Sequence, residues 1–162
     1  MSGTTPTEAL TALRGRGWTL GVAESLTGGA VSAALVAVPG ASAVLLGGVV
    51  AYATPVKHTL LAVDAELLER YGPVHAEVAR QMAAGVREAV AVDGRPADVG
   101  VSTTGIAGPE SPDGQPVGTV HIGVVTPTMS RTEQFRFGGD RDAVRAQTVA
   151  AVLDVMAAAL RE

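Results

Sequence analysis

The sequence predicts an α/β fold: a single-domain layered sandwich with a mixed, partly parallel sheet flanked by helices. Three observations predict it. Short apolar, β-capable runs alternate with helical periodicity as far as Thr104, the order that gives parallel strands with crossover helices. Two more β-capable runs then follow with only a turn between them, as an antiparallel pair does. The chain has 162 residues, 47% of them apolar, enough for one core and too few for two ordinary domains. One domain is therefore expected over residues 1–162.

The elements follow in order. Thr7 to Arg16 reads as a helix with Ala9, Leu10 and Leu13 on one face and Gly17 ending it. Trp18 to Ala23 is a short buried strand. After Glu24, Ser25 and Thr27, an Ala/Val/Leu stretch running to Val38 reads as a buried helix, stopped by Pro39-Gly40. Leu45 to Tyr52 is the next strand. Thr54-Pro55 then opens a short helix, with Thr54 expected at the cap and Pro55 at the first position. Asp64 caps a helical piece to Tyr71, and Gly72-Pro73 closes it. A long amphipathic helix runs from His75 or Ala76 to Val92. Asp98 to Thr104 is a third strand, opening into the Gly/Pro-rich loop Gly105 to Pro116. Val117 to Thr126 and Arg131 to Phe137 form the hairpin, and Gly138-Gly139-Asp140 precedes a last helix from Arg141 to Leu160.

Composition narrows the function classes. Twelve basic residues against 16 acidic ones give a net charge of −4, and only five aromatic rings are present. A nucleic-acid groove built from cations and stacking platforms is therefore not expected. The absence of cysteine excludes disulfides, thiolate catalysis and cysteine-bound metal. His58, His75 and His121 lack metal-site spacing, so neither a metal nor another cofactor is expected. No leader pattern and no apolar run long enough to cross a bilayer is read, which makes a cytoplasmic protein the expectation.

Lys57 is the only lysine; the other basic residues are arginine. An amine can lose its proton when burial or a neighbouring cation lowers its pKa, whereas a guanidinium cannot. Lys57 is thus a candidate general base. The alternative is a surface lysine left by an arginine-favouring composition. Four polar segments fall at strand ends, where open α/β sheets place their sites. In the first, Glu24 to Gly29, Ser25 is either a nucleophile or, with Thr27, a helix cap. Glu24 is a candidate buried acceptor, and the amides after Ser25 are candidate oxyanion donors. In the second, Tyr52 either orients the Ser25–Lys57 pair, stacks on a flat ligand, or is simply a surface aromatic. The third, Ser102 to Pro109, offers hydroxyls on Thr103 and Thr104 and close backbone approach at Gly105 and Gly108. The fourth puts Asp140 at a helix cap, with Arg141 and Arg145 one turn apart. These arginines either grip a phosphate, face solvent or bond a partner subunit.

Taken together, Glu24-Ser-Leu-Thr-Gly-Gly29, Tyr52 with Lys57, Thr104-Gly-Ile-Ala-Gly-Pro109, Pro116-Val-Gly-Thr-Val120 and Gly139-Asp-Arg-Asp-Ala-Val-Arg145 resemble the CinA C-terminal domain family. That family includes stand-alone nicotinamide-nucleotide amidases, and the resemblance covers nearly the whole chain in order. It implies hydrolysis of nicotinamide mononucleotide to nicotinic acid mononucleotide and ammonia, without a cofactor. Ser25 would be the nucleophile, Lys57 its base and Tyr52 an assistant in positioning or proton transfer. Glu24, Thr27, Gly28, Gly29, Thr103, Thr104, Gly105, Gly108, Asp140, Arg141 and Arg145 would frame the small-molecule nucleotide. The resemblance also implies a homo-oligomer. Larger members join this domain to an N-terminal pyrophosphatase-type domain, for which 162 residues leave no room. The chain departs from the pattern at Leu26, where relatives often carry cysteine, at His75, where serine is common, and in the loop Glu110 to Gly114. These departures bear on pocket polarity.

Overall fold

The computed structural model describes residues 3–162. Helix α1 (Pro6–Arg16) starts one residue before the sequence reading placed it. Thr5 and Glu8 form a reciprocal capping box and Pro6 sits in the first turn. Gly17, at φ 69°, ends the helix in the left-handed conformation. Strand β1 (Leu20–Glu24) is wholly buried. The helix after it, α2 (Ala30–Val36), is shorter than its apolar run suggested. Gly28 and Gly29, at φ 58° and 105°, hold the chain in a turn that helical backbone cannot enter until Ala30.

Strand β2 (Leu45–Val50) leads to α3 (Thr54–Leu61). Here the expected cap is corrected: Ala53 occupies the cap position without a side-chain bond, and Thr54 is already helical. Asp64 caps α4 (Ala65–Tyr71) through the Glu66 N–H, and the His75 imidazole caps α5 (Ala76–Ala89) through the Glu77 N–H. Strands β3 (Val99–Gly105), β4 (Thr119–Val125) and β5 (Ser130–Arg136) precede α6 (Arg141–Leu160), capped by Asp140 through the Ala143 N–H.

The five strands lie in the order β2-β1-β3-β4-β5. β1 is parallel to both β2 and β3, and β4 and β5 add antiparallel to β3. The mixed, partly parallel sheet is therefore as the sequence predicts. One face packs Val22, Val101 and Ile122 against α1, α2 and α6; the other packs Ala23 and Ala51 with residues of α3, α4 and α5. By length and composition α6 is apolar enough to cross a membrane, which the sequence reading did not register. Val144, Val152 and Met156 are fully buried within the core instead, so it is built as a core helix.

The seat of α5 is paved with glycine. A Cβ on Gly100 would lie 1.8 Å from the Ala83 carbonyl oxygen, and one on Gly123 would lie 2.4 Å from that of Ala79. Both clashes are with helix backbone, which cannot turn aside as a side chain can. Gly100→Ala is therefore expected to lower stability by about 3 kcal/mol, measured by urea unfolding, because α5 must lift off the sheet. A loss below about 1 kcal/mol would show that the helix seat yields readily.

Candidate active site

Parallel strands β1, β2 and β3 deliver Ser25, Tyr52 and Gly105 to one end of the sheet. The crossover from β1 leads outward to β2, while β3 pairs on β1's other side, so a crevice opens between β1 and β3 at their carboxyl ends. A cavity of about 350 Å³ occupies this end. It is lined by Ser25, Tyr52, Lys57, Thr104, Gly105, Gly108 and Arg141 among the residues singled out in the sequence. The other seven, Glu24, Thr27, Gly28, Gly29, Thr103, Asp140 and Arg145, stand outside the lining.

Glu24 shapes the turn that holds Ser25. Its fully buried carboxylate accepts from the N–H groups of Gly29, Val31 and Ser32 at 3.1, 2.9 and 2.9 Å, and from the Ser32 hydroxyl at 2.8 Å. An acidic side chain from the preceding strand thus satisfies the start of α2, a role the sequence reading gave to Ser25 or Thr27 as caps. Neither caps it. The Thr27 hydroxyl shares a 2.9 Å bond with that of Thr103, and the Ser25 N–H donates to the Thr103 carbonyl at 3.1 Å and hydroxyl at 3.2 Å. These bonds seat the turn on β3 and leave the Ser25 hydroxyl facing Lys57.

Lys57 is 1% exposed, an unusual place for an amine. Its Nζ lies 3.0 Å from Ser25 Oγ, 2.8 Å from the Ala51 carbonyl oxygen and 3.2 Å from that of Tyr52. No carboxylate bonds to it among the described residues, and burial lowers its pKa from 10.5 to about 8. Nζ donates to Ser25 Oγ and to the two carbonyls, three acceptors for the three N–H groups of the ammonium. Loss of one proton would keep both carbonyl bonds and turn the lone pair to the hydroxyl.

Tyr52 contributes in two ways. Its carbonyl holds Lys57, while its largely exposed ring carries a hydroxyl that accepts from Arg141 Nη2 at 3.0 Å. Arg141 Nη1 also donates to the Gly108 carbonyl at 2.7 Å, so the guanidinium bridges two sides of the cavity mouth. The two arginines expected on one face part company, because Arg145 turns to the carbonyls of Leu26 and Thr27. The hydroxyls of Ser102 and Thr104 bond to the carbonyls of Ala79 and Pro73. Thr104 nevertheless faces the cavity.

Sequence reasoning missed Pro73 and Val74 from the α4–α5 connection, which line the cavity together with Leu26, Ile106, Glu110 and Asp113. Leu26 and the loop Glu110 to Gly114 are departures from the family pattern that the sequence tied to pocket polarity. His121 lies buried on β4 with its Nδ1 unpartnered among the described residues; burial, and then His75, lower its pKa. It lies outside the cavity lining.

The fold and site define a class: a layered α/β domain carrying a serine hydroxyl against a buried lysine amine at the carboxyl end of a partly parallel sheet. The chain belongs to the CinA C-terminal domain family, whose model matches residues 4–160. It is 47% identical over 151 residues to a CinA-like protein of Anaeromyxobacter dehalogenans, covering 92% of this chain and 36% of that one. With a CinA-like protein of Frankia casuarinae it shares 45% identity over 141 residues, covering 87% and 31%. The chain spans about a third of the length of these curated relatives. Solved structures agree along nearly the full chain. A competence-damaged protein (CinA) superfamily protein from Klebsiella pneumoniae superposes with TM-score 0.90 at 34% identity, covering 96% of this chain and 95% of that one. The competence/damage inducible protein CihA from Agrobacterium tumefaciens gives 0.86 at 33%, covering 97% and 93%.

Proposed function

We propose that this protein hydrolyses the carboxamide of nicotinamide mononucleotide to nicotinic acid mononucleotide and ammonia, with Ser25 as nucleophile and Lys57 as base. The observation that carries the reading is the 3.0 Å approach of Ser25 Oγ to an amine buried without a counter-charge. A pKa of about 8 leaves about a tenth of that amine neutral at pH 7, roughly 300-fold more than at 10.5.

Neutral Lys57 takes the seryl proton as Oγ bonds to the amide carbon and the carbonyl electrons move onto oxygen. An amide following the nucleophile is the donor for that oxyanion. Gly28, expected to serve there, donates instead to the Ser25 carbonyl, which leaves the amide of Leu26, a residue that lines the cavity, in that role. Collapse breaks the C–N bond, and the Lys57 ammonium gives its proton to the departing nitrogen, which leaves as ammonia. Water then attacks the acyl-enzyme while Lys57 takes its proton. The seryl oxygen leaves and recovers that proton from Lys57. Arg141, at the cavity mouth and locked by Tyr52 and Gly108, supplies the cation for the phosphate.

Ammonia release from nicotinamide mononucleotide tests the reading, with kcat/KM followed from pH 6 to 10. The active form is the deprotonated amine, so kcat/KM should rise tenfold per pH unit and level off near pH 8. Tight nucleotide binding with no ammonia at any pH would identify a binding module instead. Turnover that is flat across this range would remove Lys57 as the base.

A further inference from the structure

We infer that Arg145 is a positioning residue for the nucleophile turn, and that it does not grip the nucleotide's phosphate; the inference rests on the amidase reading for its kinetic consequence. Arg145 lies on α6, one turn beyond Arg141, and sequence alone pairs the two. The structure assigns them different work. Arg141 lines the cavity, whereas Arg145 does not. Its Nε donates to the Leu26 carbonyl at 2.9 Å and its Nη2 to the Thr27 carbonyl at 3.2 Å, joining positions 119 and 118 residues apart. Its nearest acid, Asp142, is largely exposed and 3.9 Å from Nη1, too distant for a hydrogen bond.

The two carbonyls belong to the middle of a tight turn. Ser25 and Gly28 close it through the Gly28 N–H and the Ser25 carbonyl at 3.1 Å, so Leu26 and Thr27 are its central residues. Such turns have two common forms that differ by a flip of the peptide between the central residues. In a trans peptide the C=O and N–H point in opposite directions, so fixing one fixes the other. By holding the Leu26 oxygen toward α6, Arg145 directs the Thr27 N–H away from α6. The Thr27 oxygen also accepts from the Ala30 N–H at 2.9 Å, so Arg145 and the start of α2 together hold the next peptide, whose N–H closes the turn. Thr27 resists the flipped form through its branched side chain, and the guanidinium adds a restraint from outside the turn. A planar fork reaching two successive carbonyls needs arginine; a lysine point donor cannot span both.

The test is Arg145→Lys, which keeps the charge and loses the fork. The first readout is amide hydrogen exchange, which does not depend on any activity. Exchange at Gly28 and Ala30, whose N–H groups bond to the carbonyls of Ser25 and Thr27, should quicken at least about tenfold, with β1 and the body of α6 unchanged. Unchanged exchange in the turn would overturn the hold itself. The second readout compares nicotinamide mononucleotide with its riboside, which lacks the phosphate. A displaced turn lowers kcat about 10²-fold for both substrates while KM stays within about twofold. A rise in KM confined to the phosphorylated substrate, with kcat intact, would make Arg145 a phosphate ligand and overturn the inference. Absence of turnover in the unmodified protein sinks the amidase reading alone, because the exchange result still decides what Arg145 holds.

Discussion

Ser25→Ala and Lys57→Arg proteins should retain their fold and lose ammonia release from nicotinamide mononucleotide by about 10⁴-fold or more, since the proposed mechanism uses both in one covalent step. Alanine removes the only atom placed to attack. Arginine keeps the charge but holds its proton at every accessible pH, so the third partner of the base site is lost. Full activity in either protein would sink the role assignment. Lys57→Met separates chemistry from stability. The native amine has a folded pKa of about 8 against 10.5 unfolded, so the unfolded chain binds more protons between those values and stability rises with pH across them. Below pH 8 the full cost of burying the ammonium, about 3 kcal/mol by that shift, is present. Methionine removes that cost but strands the carbonyls of Ala51 and Tyr52, leaving a net gain of about 1 kcal/mol at pH 7. The gain should shrink and reverse as pH climbs from 8 to 10.5. A Lys57→Met protein less stable than the parent at pH 7 would show that the amine stabilises the fold and is not strained by its burial.

The sequence made the strands and helices legible because each carries its own local signal: alternation or apolar runs for the sheet, caps and glycines for the helix ends. The same applies to Ser25 and Lys57, whose residue types announce chemistry and whose places at strand ends put them on one edge. Contacts made at long range were not legible. Nothing in the order Leu26-Thr27 indicates that Arg145 reaches their carbonyls, and helical spacing puts Arg141 and Arg145 on one face without showing that their side chains take different partners. The end of β1 shows why. Ser25 and Thr27 stand where a capping hydroxyl would, so propensity assigns them the cap. A fully buried acid one residue earlier satisfies the helix start instead, and only the three-dimensional turn of Gly28-Gly29 brings it there. The glycine seat under α5 was hidden for a related reason: Gly100 and Gly123 look like weak points in their strands until the helix backbone above them is known.

Glu24→Ala should be among the most damaging single substitutions in the chain, with a stability loss of about 4 kcal/mol in urea unfolding. The carboxylate is fully buried and accepts from four donors, three of them backbone N–H groups at the start of α2. Alanine leaves those donors without acceptors, at about 1–3 kcal/mol for each one that water cannot reach, and opens a cavity beside them. Glutamine retains the shape but not the chemistry. Its amide nitrogen must point at Gly29 and Val31 or at Ser32, setting donor against donor, so Glu24→Gln should fall between Ala and the parent at a loss of about 2 kcal/mol. Both changes loosen the turn that carries Ser25, and activity should fall more steeply than the folded fraction, because a shift of about 1 Å at the nucleophile is enough to cost 10²-fold. If Glu24→Gln matched the parent in stability and turnover, the four bonds would be incidental to the helix start. The turn would then be set by its glycines, Thr103 and Arg145, and the buried acid would need a different explanation.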